Sequence, residues 1–121
     1  ETRVYSWGDG RPWHSYAAIA GRHFGGRVRK IAVDAGLSCP NRDGTIGSEG
    51  CTFCDNRAFT PSYCSPRKSL TRQIEEGIAF HTARGRDEGL CLAYFQPFSN
   101  THAPVARLRE LYAEALDHPR I

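Results

Sequence analysis

Residues 69–85, SLTRQIEEGIAFHTARG, carry apolar side chains at Leu70, Ile74 and Ile78, one stripe of a helix. Ser69 is placed to cap that helix and Gly85 to end it. Gly77, in its middle, costs about 1 kcal/mol relative to alanine. Residues 105–118, VARLRELYAEALDH, repeat the helical period. Val105, Leu108, Leu111, Tyr112 and Ala115 fall on the inward side, with Arg107, Arg109, Glu110 and Glu114 outward. Pro104 suits the first turn. A shorter helix is expected over 15–26, capped by Ser15 and stopped by Gly25-Gly26.

Two stretches read as strands. RKIAVDAG (29–36) alternates, with Ile31 and Val33 set against Lys30 and Ala32. LCLAYFQPF (90–98) is almost continuously apolar, the pattern of a strand buried on both faces of a parallel sheet, and Pro97 ends its ladder. The order is strand, long loop, helix, strand, loop, helix, which implies parallel strands with helical crossovers. Two such strands cannot bury both sheet faces, and HPRI (118–121) looks like the approach to a third. The expectation is a portion of a larger α/β protein. Residues 1–28 read as an extension, irregular apart from its one short helix.

Composition narrows the class. The 121 residues are 40% hydrophobic and 24% charged, ordinary for a globular chain. There is no apolar run of membrane-spanning length and no signal peptide, so the expected location is cytoplasmic, with reduced thiols and no membrane partner. Glu1 is not an initiator methionine. The net charge of +3 is too small to argue for nucleic acid, but it is unevenly placed. Residues 1–30 hold six Lys/Arg against Glu1 and Asp9, and the remainder ten against eleven. Tyr5, Trp7, Trp13 and Tyr16 are interleaved with those cations, a composition that suits RNA but also an arm packed on the body.

The connection between the first strand and its helix runs to about Pro66, roughly thirty residues against the usual four to six. Within it, CPNRDGTIGSEGCTFC sets Cys39, Cys51 and Cys54 at C-x11-C-x2-C. Five cysteines are an odd number, and the compartment disfavours a disulfide. The spacing reads as a metal site without saying which metal. Cys64 or a histidine could complete a four-ligand zinc site, in a small module docking RNA or protein. Alternatively, three thiolates at the carboxyl end of a parallel strand could leave one iron of a cubane cluster open.

The stretches AGLSCPNRDGTIGSEGCTFCDN (35–56) and AYFQPFSNTHAPVARLRELYAEAL (93–116) resemble YhcC-type radical S-adenosylmethionine proteins, grouped with Elongator catalytic-subunit-like enzymes. The resemblance covers roughly residues 15 to 121. It implies the first βα units of a partial (βα) TIM-type barrel, cut before the third strand: cluster loop 35–66, helix 69–84, strand 90–96 and helix 105–118. It implies that Cys39, Cys51 and Cys54 hold a [4Fe–4S] cluster, and that Phe53 lies near the adenine of S-adenosylmethionine. Gln96, Ser99, Asn100 and Thr101 stand where such proteins contact the methionyl amino group, though the usual turn there is glycine-rich. The implied activity is reductive cleavage of S-adenosylmethionine to a 5′-deoxyadenosyl radical, with no protein acid or base required and an electron donor such as flavodoxin or ferredoxin. The substrate is unknown, and the Elongator kinship points to RNA. A chain of this extent, taken alone, is expected to be inactive and to self-associate through an open sheet edge.

Other residues are given structural roles. Cys91 belongs to the core, Cys64 to an exposed position near a helix start, and Asp34 either to a loop cap or to the site. Asn41, Arg42, Asp43 and Gly44 make a turn that folds the loop or contacts cofactor. His81 is expected at solvent or in contact with the helix dipole near a helix end, and His102 at the cofactor edge or in a cap.

Overall fold

The computed structural model describes residues 3–86 and 89–121. Its elements run α1 (Tyr16–Phe24), β1 (Arg29–Val33), α2 (Leu70–Thr82), β2 (Cys91–Phe95) and α3 (Val105–Leu116). All five fall where the hydrophobic pattern sets them, each a few residues shorter at its ends. Ser15 and Ser69 cap α1 and α2, their hydroxyls accepting from the Ala18 and Arg72 N–H groups. Gly25, with φ of 71°, ends α1.

β1 and β2 pair in parallel, with Arg29 opposite Cys91 and Val33 opposite Phe95. Helices α2 and α3 pack on one face. Val33, Leu70, Ile74, Leu111 and Ala115 form the main cluster there, and Ile31, Tyr63 and Cys91 a second one beside it. Helix α2 lies close to the sheet, and Gly77 permits it. A Cβ at Gly77 would sit 2.5 Å from Ile31 Cγ2 and 2.9 Å from Tyr63 Cε2, so the residue that weakens the helix also seats it.

The expectation that β2 is buried on both faces does not hold. Its residues alternate: Cys91 is buried, whereas Leu92 and Tyr94 are 36% and 38% exposed. The helices cover one face only, and Lys30, Leu92 and Tyr94 share the open one. Lys30 Nζ lies 4.8 Å from the Tyr94 ring centroid and 5.3 Å from that of Tyr16. Val105 is also not inward: at 71% exposure it stands at the first residue of α3, before the helix meets the core.

The two sheet edges differ. On the outer edge of β1, the Cys64 thiol donates to the Ala32 carbonyl at 3.1 Å. On the outer edge of β2, the Cys91 N–H donates to the Arg120 carbonyl at 2.6 Å, and Ile121 packs against both clusters. Residues 120–121 thus lie on the side of β2 away from β1.

In the N-terminal arm, whose first two residues lie outside the described ones, the aromatics pack mainly on one another. Tyr5 stacks on Trp7 at 5.0 Å and Trp7 on His14 at 5.8 Å, while Trp13 stays exposed. Among the described residues, no helix is long and apolar enough to cross a membrane.

Candidate functional site

The cysteine loop leaves the carboxyl end of β1, and its first anchor is a buried glutamine. Gln73 of α2 accepts from the Asp34 N–H at 2.8 Å and donates to the Asp34 carbonyl at 2.9 Å. Asp34 in turn accepts from the Gly36 N–H at 2.9 Å. Its role is the loop cap, and its backbone is gripped from the helix. Gly36 has φ of 70°, and a Cβ there would lie 3.2 Å from Pro66 Cβ, so the two ends of the loop pass closely.

Beyond this anchor the loop folds on its own backbone. The Arg42 and Asp43 N–H groups both donate to the Cys39 carbonyl, at 2.9 and 3.0 Å. The Cys54 N–H donates to the Cys51 carbonyl at 3.1 Å, closing the tight turn that a C-x2-C spacing makes. Arg42 crosses Gly50, where a Cβ would fall 2.9 Å from its Cζ, and donates to the Cys54 carbonyl at 2.8 Å. The Asn41 to Gly44 turn therefore folds the loop, and its arginine ties the first cysteine segment to the last.

Four hydrogen bonds join this loop to the one after β2. Ser99 donates its hydroxyl to Cys39 Sγ at 3.4 Å and its N–H to the Ser38 carbonyl at 3.1 Å. The Phe98 N–H donates to Asn56 Oδ1 at 3.2 Å, and Cys54 Sγ lies 3.9 Å from the same oxygen. His102 Nε2 and Asp43 Oδ2 are 2.8 Å apart. Phe98 has φ of 62°, in the left-handed region that a bulky side chain rarely occupies. Its neighbours hold it there on both sides, and backbone strain of this kind is kept where the surroundings over-determine it.

Electrostatics separate the thiols. The hydrogen bond from Ser99, then that from the Asn41 backbone, holds the Cys39 thiol below its ordinary value. Burial pushes Cys64 up to about 11, with the nearby Asp34 adding to it. Asp43, accepting from Ser38, Thr45 and His102, is held well below the usual carboxylate range. Cys39, Cys51, Cys54 and Cys64 are all half-buried and Cys91 is buried. The exposed position expected for Cys64 is thus corrected: its thiol is turned onto the edge of β1.

The remaining site candidates scatter. The Phe53 ring is 89% exposed. Gln96 is half-buried beside Lys30, Ala32, Tyr63 and Tyr94, lining an open depression on the uncovered sheet face. Asn100 turns its amide back onto the Phe95 and Pro97 carbonyls, at 3.0 and 3.1 Å, and Tyr112 donates to its carbonyl. It shapes the turn. Thr101 is exposed at the tip. His81 stands in the last turn of α2, as expected, half-buried in a crevice with Arg29 and Cys91 at the opposite end of the strands, and burial foremost lowers its basicity. Asn56 and Ser38 were not among the expected site residues. The pairing of Asn56 with Phe98, 42 residues away, leaves no local signal in the sequence.

No protein-family model matches the chain, and no solved structure matches it. Among curated proteins it is 41% identical to the uncharacterised protein YtqA of Bacillus subtilis over 99 residues, 78% of this chain and 29% of that one. It is 38% identical to protein YhcC of Escherichia coli K12 over 100 residues, 83% of this chain and 31% of that one. It is 29% identical to the uncharacterised protein MJ0486 of Methanocaldococcus jannaschii over 120 residues, 98% of this chain and 35% of that one. The chain spans about a third of the length of the curated relatives it matches.

Proposed function

We propose that the chain is the cluster-binding portion of a radical S-adenosylmethionine enzyme, with Cys39, Cys51 and Cys54 as the ligands of a [4Fe–4S] cluster. The observation that carries this reading is the joining of the cysteine loop to the loop after β2 by Ser99, Asn56 and His102, all at the carboxyl end of the strands. That end is where parallel α/β sheets place their chemistry. The resemblance of residues 35–56 and 93–116 to YhcC-type radical enzymes supports reading the bound group as a [4Fe–4S] cluster.

The chemistry of the donor set suits such a group, since three free cysteines can give one thiolate to each of three irons. One tetrahedral zinc, with zinc–sulfur bonds of about 2.3 Å, needs its sulfurs about 3.8 Å apart. Among the described residues, no three His, Cys, Asp or Glu side chains gather closely enough to hold one metal ion. Cys64 is a poor fourth ligand, since metal binding requires a thiolate and its proton is held by burial and by the Ala32 carbonyl. When bound, the cluster would supply the electron that cleaves the sulfonium of S-adenosylmethionine. The chain's own work is to hold three thiolates, to brace their loop, and to present the turn 96–101 beside them.

Anaerobic reconstitution with iron and sulfide tests the reading. The chain should take up iron and acid-labile sulfide in equal amounts, and zinc should not displace them. Stoichiometric zinc bound through four sulfurs, with no iron uptake, would contradict it.

A further inference from the structure

We propose that Ser99 and Asn41 raise the reduction potential of the cluster, each through a hydrogen bond to a ligand sulfur. The proposal rests on the cluster reading above. Ser99 Oγ donates to Cys39 Sγ and Asn41 Nδ2 donates to Cys51 Sγ, both at 3.4 Å. Both donors are fixed by their own backbones. Ser99 donates its N–H to the Ser38 carbonyl and accepts from the His102 N–H, each at 3.1 Å. The Asn41 carbonyl accepts from the Gly50 N–H at 2.8 Å.

The third sulfur is treated differently. Cys54 Sγ faces the oxygen of Asn56, and that oxygen already accepts from the Phe98 N–H. Two ligands thus carry neutral side-chain donors, while the side-chain neighbour of the third presents an acceptor. Reduction adds one electron from an external donor, dithionite in the test, and forms or breaks no bond at the cysteines. Part of the added charge falls on the thiolate sulfurs. A donor aimed at a sulfur interacts more strongly with the more negative state, so it favours reduction. Ser99, which the resemblance makes a candidate for contact with the methionyl group, thus also donates to a ligand sulfur.

The test uses the full chain, reconstituted anaerobically with iron and sulfide, and titrates the reduced cluster by electron paramagnetic resonance. Ser99→Ala and Asn41→Leu should each lower the midpoint potential by about 59 mV, which is a tenfold change in a one-electron equilibrium. Ser99→Thr, which keeps the hydroxyl, should stay near the unsubstituted chain. Variant clusters that titrate with the unsubstituted one overturn the proposal, as does a Ser99→Thr shift as large as that of Ser99→Ala. Iron and sulfide content, measured first, keeps the two levels apart: an unsubstituted chain that takes up no cluster overturns the cluster reading, and this proposal with it.

Discussion

At Gly77 two opposing effects of one residue can be weighed. Alanine would improve helix propensity by about 1 kcal/mol. Its methyl, however, would press on Ile31 Cγ2 at 2.5 Å and on the Tyr63 ring, both buried in the sheet–helix interface. Overpacking of this kind costs about 1–3 kcal/mol. Gly77→Ala should therefore lower stability by up to about 2 kcal/mol in urea unfolding, and a stabilised variant would refute the close approach. The thiols give a second residue-scale prediction. Cys64, pushed up to about 11, stays protonated in the fold well above the ordinary thiol value of 9.0, whereas Cys39 ionises below it. At pH 8 to 9, iodoacetamide should modify Cys39 faster than Cys64, read by peptide mass spectrometry. The sign for stability follows: a folded value raised above the unfolded one contributes stability fully present below pH 9, lost as pH rises from there through about 11. Of the proposed site, the spacing of the three cysteines was legible in the sequence. The partners of their sulfurs were not, since Ser99 meets Cys39 across 60 positions of chain.

Among the elements, the helices were the most legible because their apolar stripes match the faces they bury: Leu70 and Ile74 of α2, Leu111 and Ala115 of α3. What the stripes did not show is Gln73, a polar residue fully buried between Leu70 and Ile74 on α2. It looks like an outward residue in the sequence because its partners, the Asp34 N–H and carbonyl, lie on another element. Gln73→Leu would leave those backbone groups buried and unpaired, a cost of about 1–3 kcal/mol for each. The variant should unfold at lower urea and loosen residues 34–38, seen as faster amide exchange there, while exchange in α3 is unchanged. Equal loosening of both would mean that Gln73 supports the core rather than the loop. β2 was misread for a related reason. A continuous apolar run says that both faces tolerate apolar surroundings, and only the packed helices decide which face is covered.

For the molecule as a whole, the site is the meeting of two loops at one end of a two-stranded parallel sheet, and α2 and α3 exist to set that meeting. Topology made this legible: a βαβα order places both loops at the carboxyl ends of their strands before any contact is known. The open sheet face, with Lys30, Leu92 and Tyr94, and the segment 120–121 on the outer edge of β2 were less legible, because no pattern within 121 residues says what stands opposite them. The central claim is that three cysteines, and not four, hold the cluster. Mössbauer spectroscopy of the iron-reconstituted chain tests it most directly, alongside the same preparation of Cys64→Ala. The account predicts one iron distinct from the other three, an unchanged spectrum for Cys64→Ala, and loss of the cluster in Cys39→Ala, Cys51→Ala or Cys54→Ala. Four equivalent irons that become inequivalent only in Cys64→Ala would contradict it.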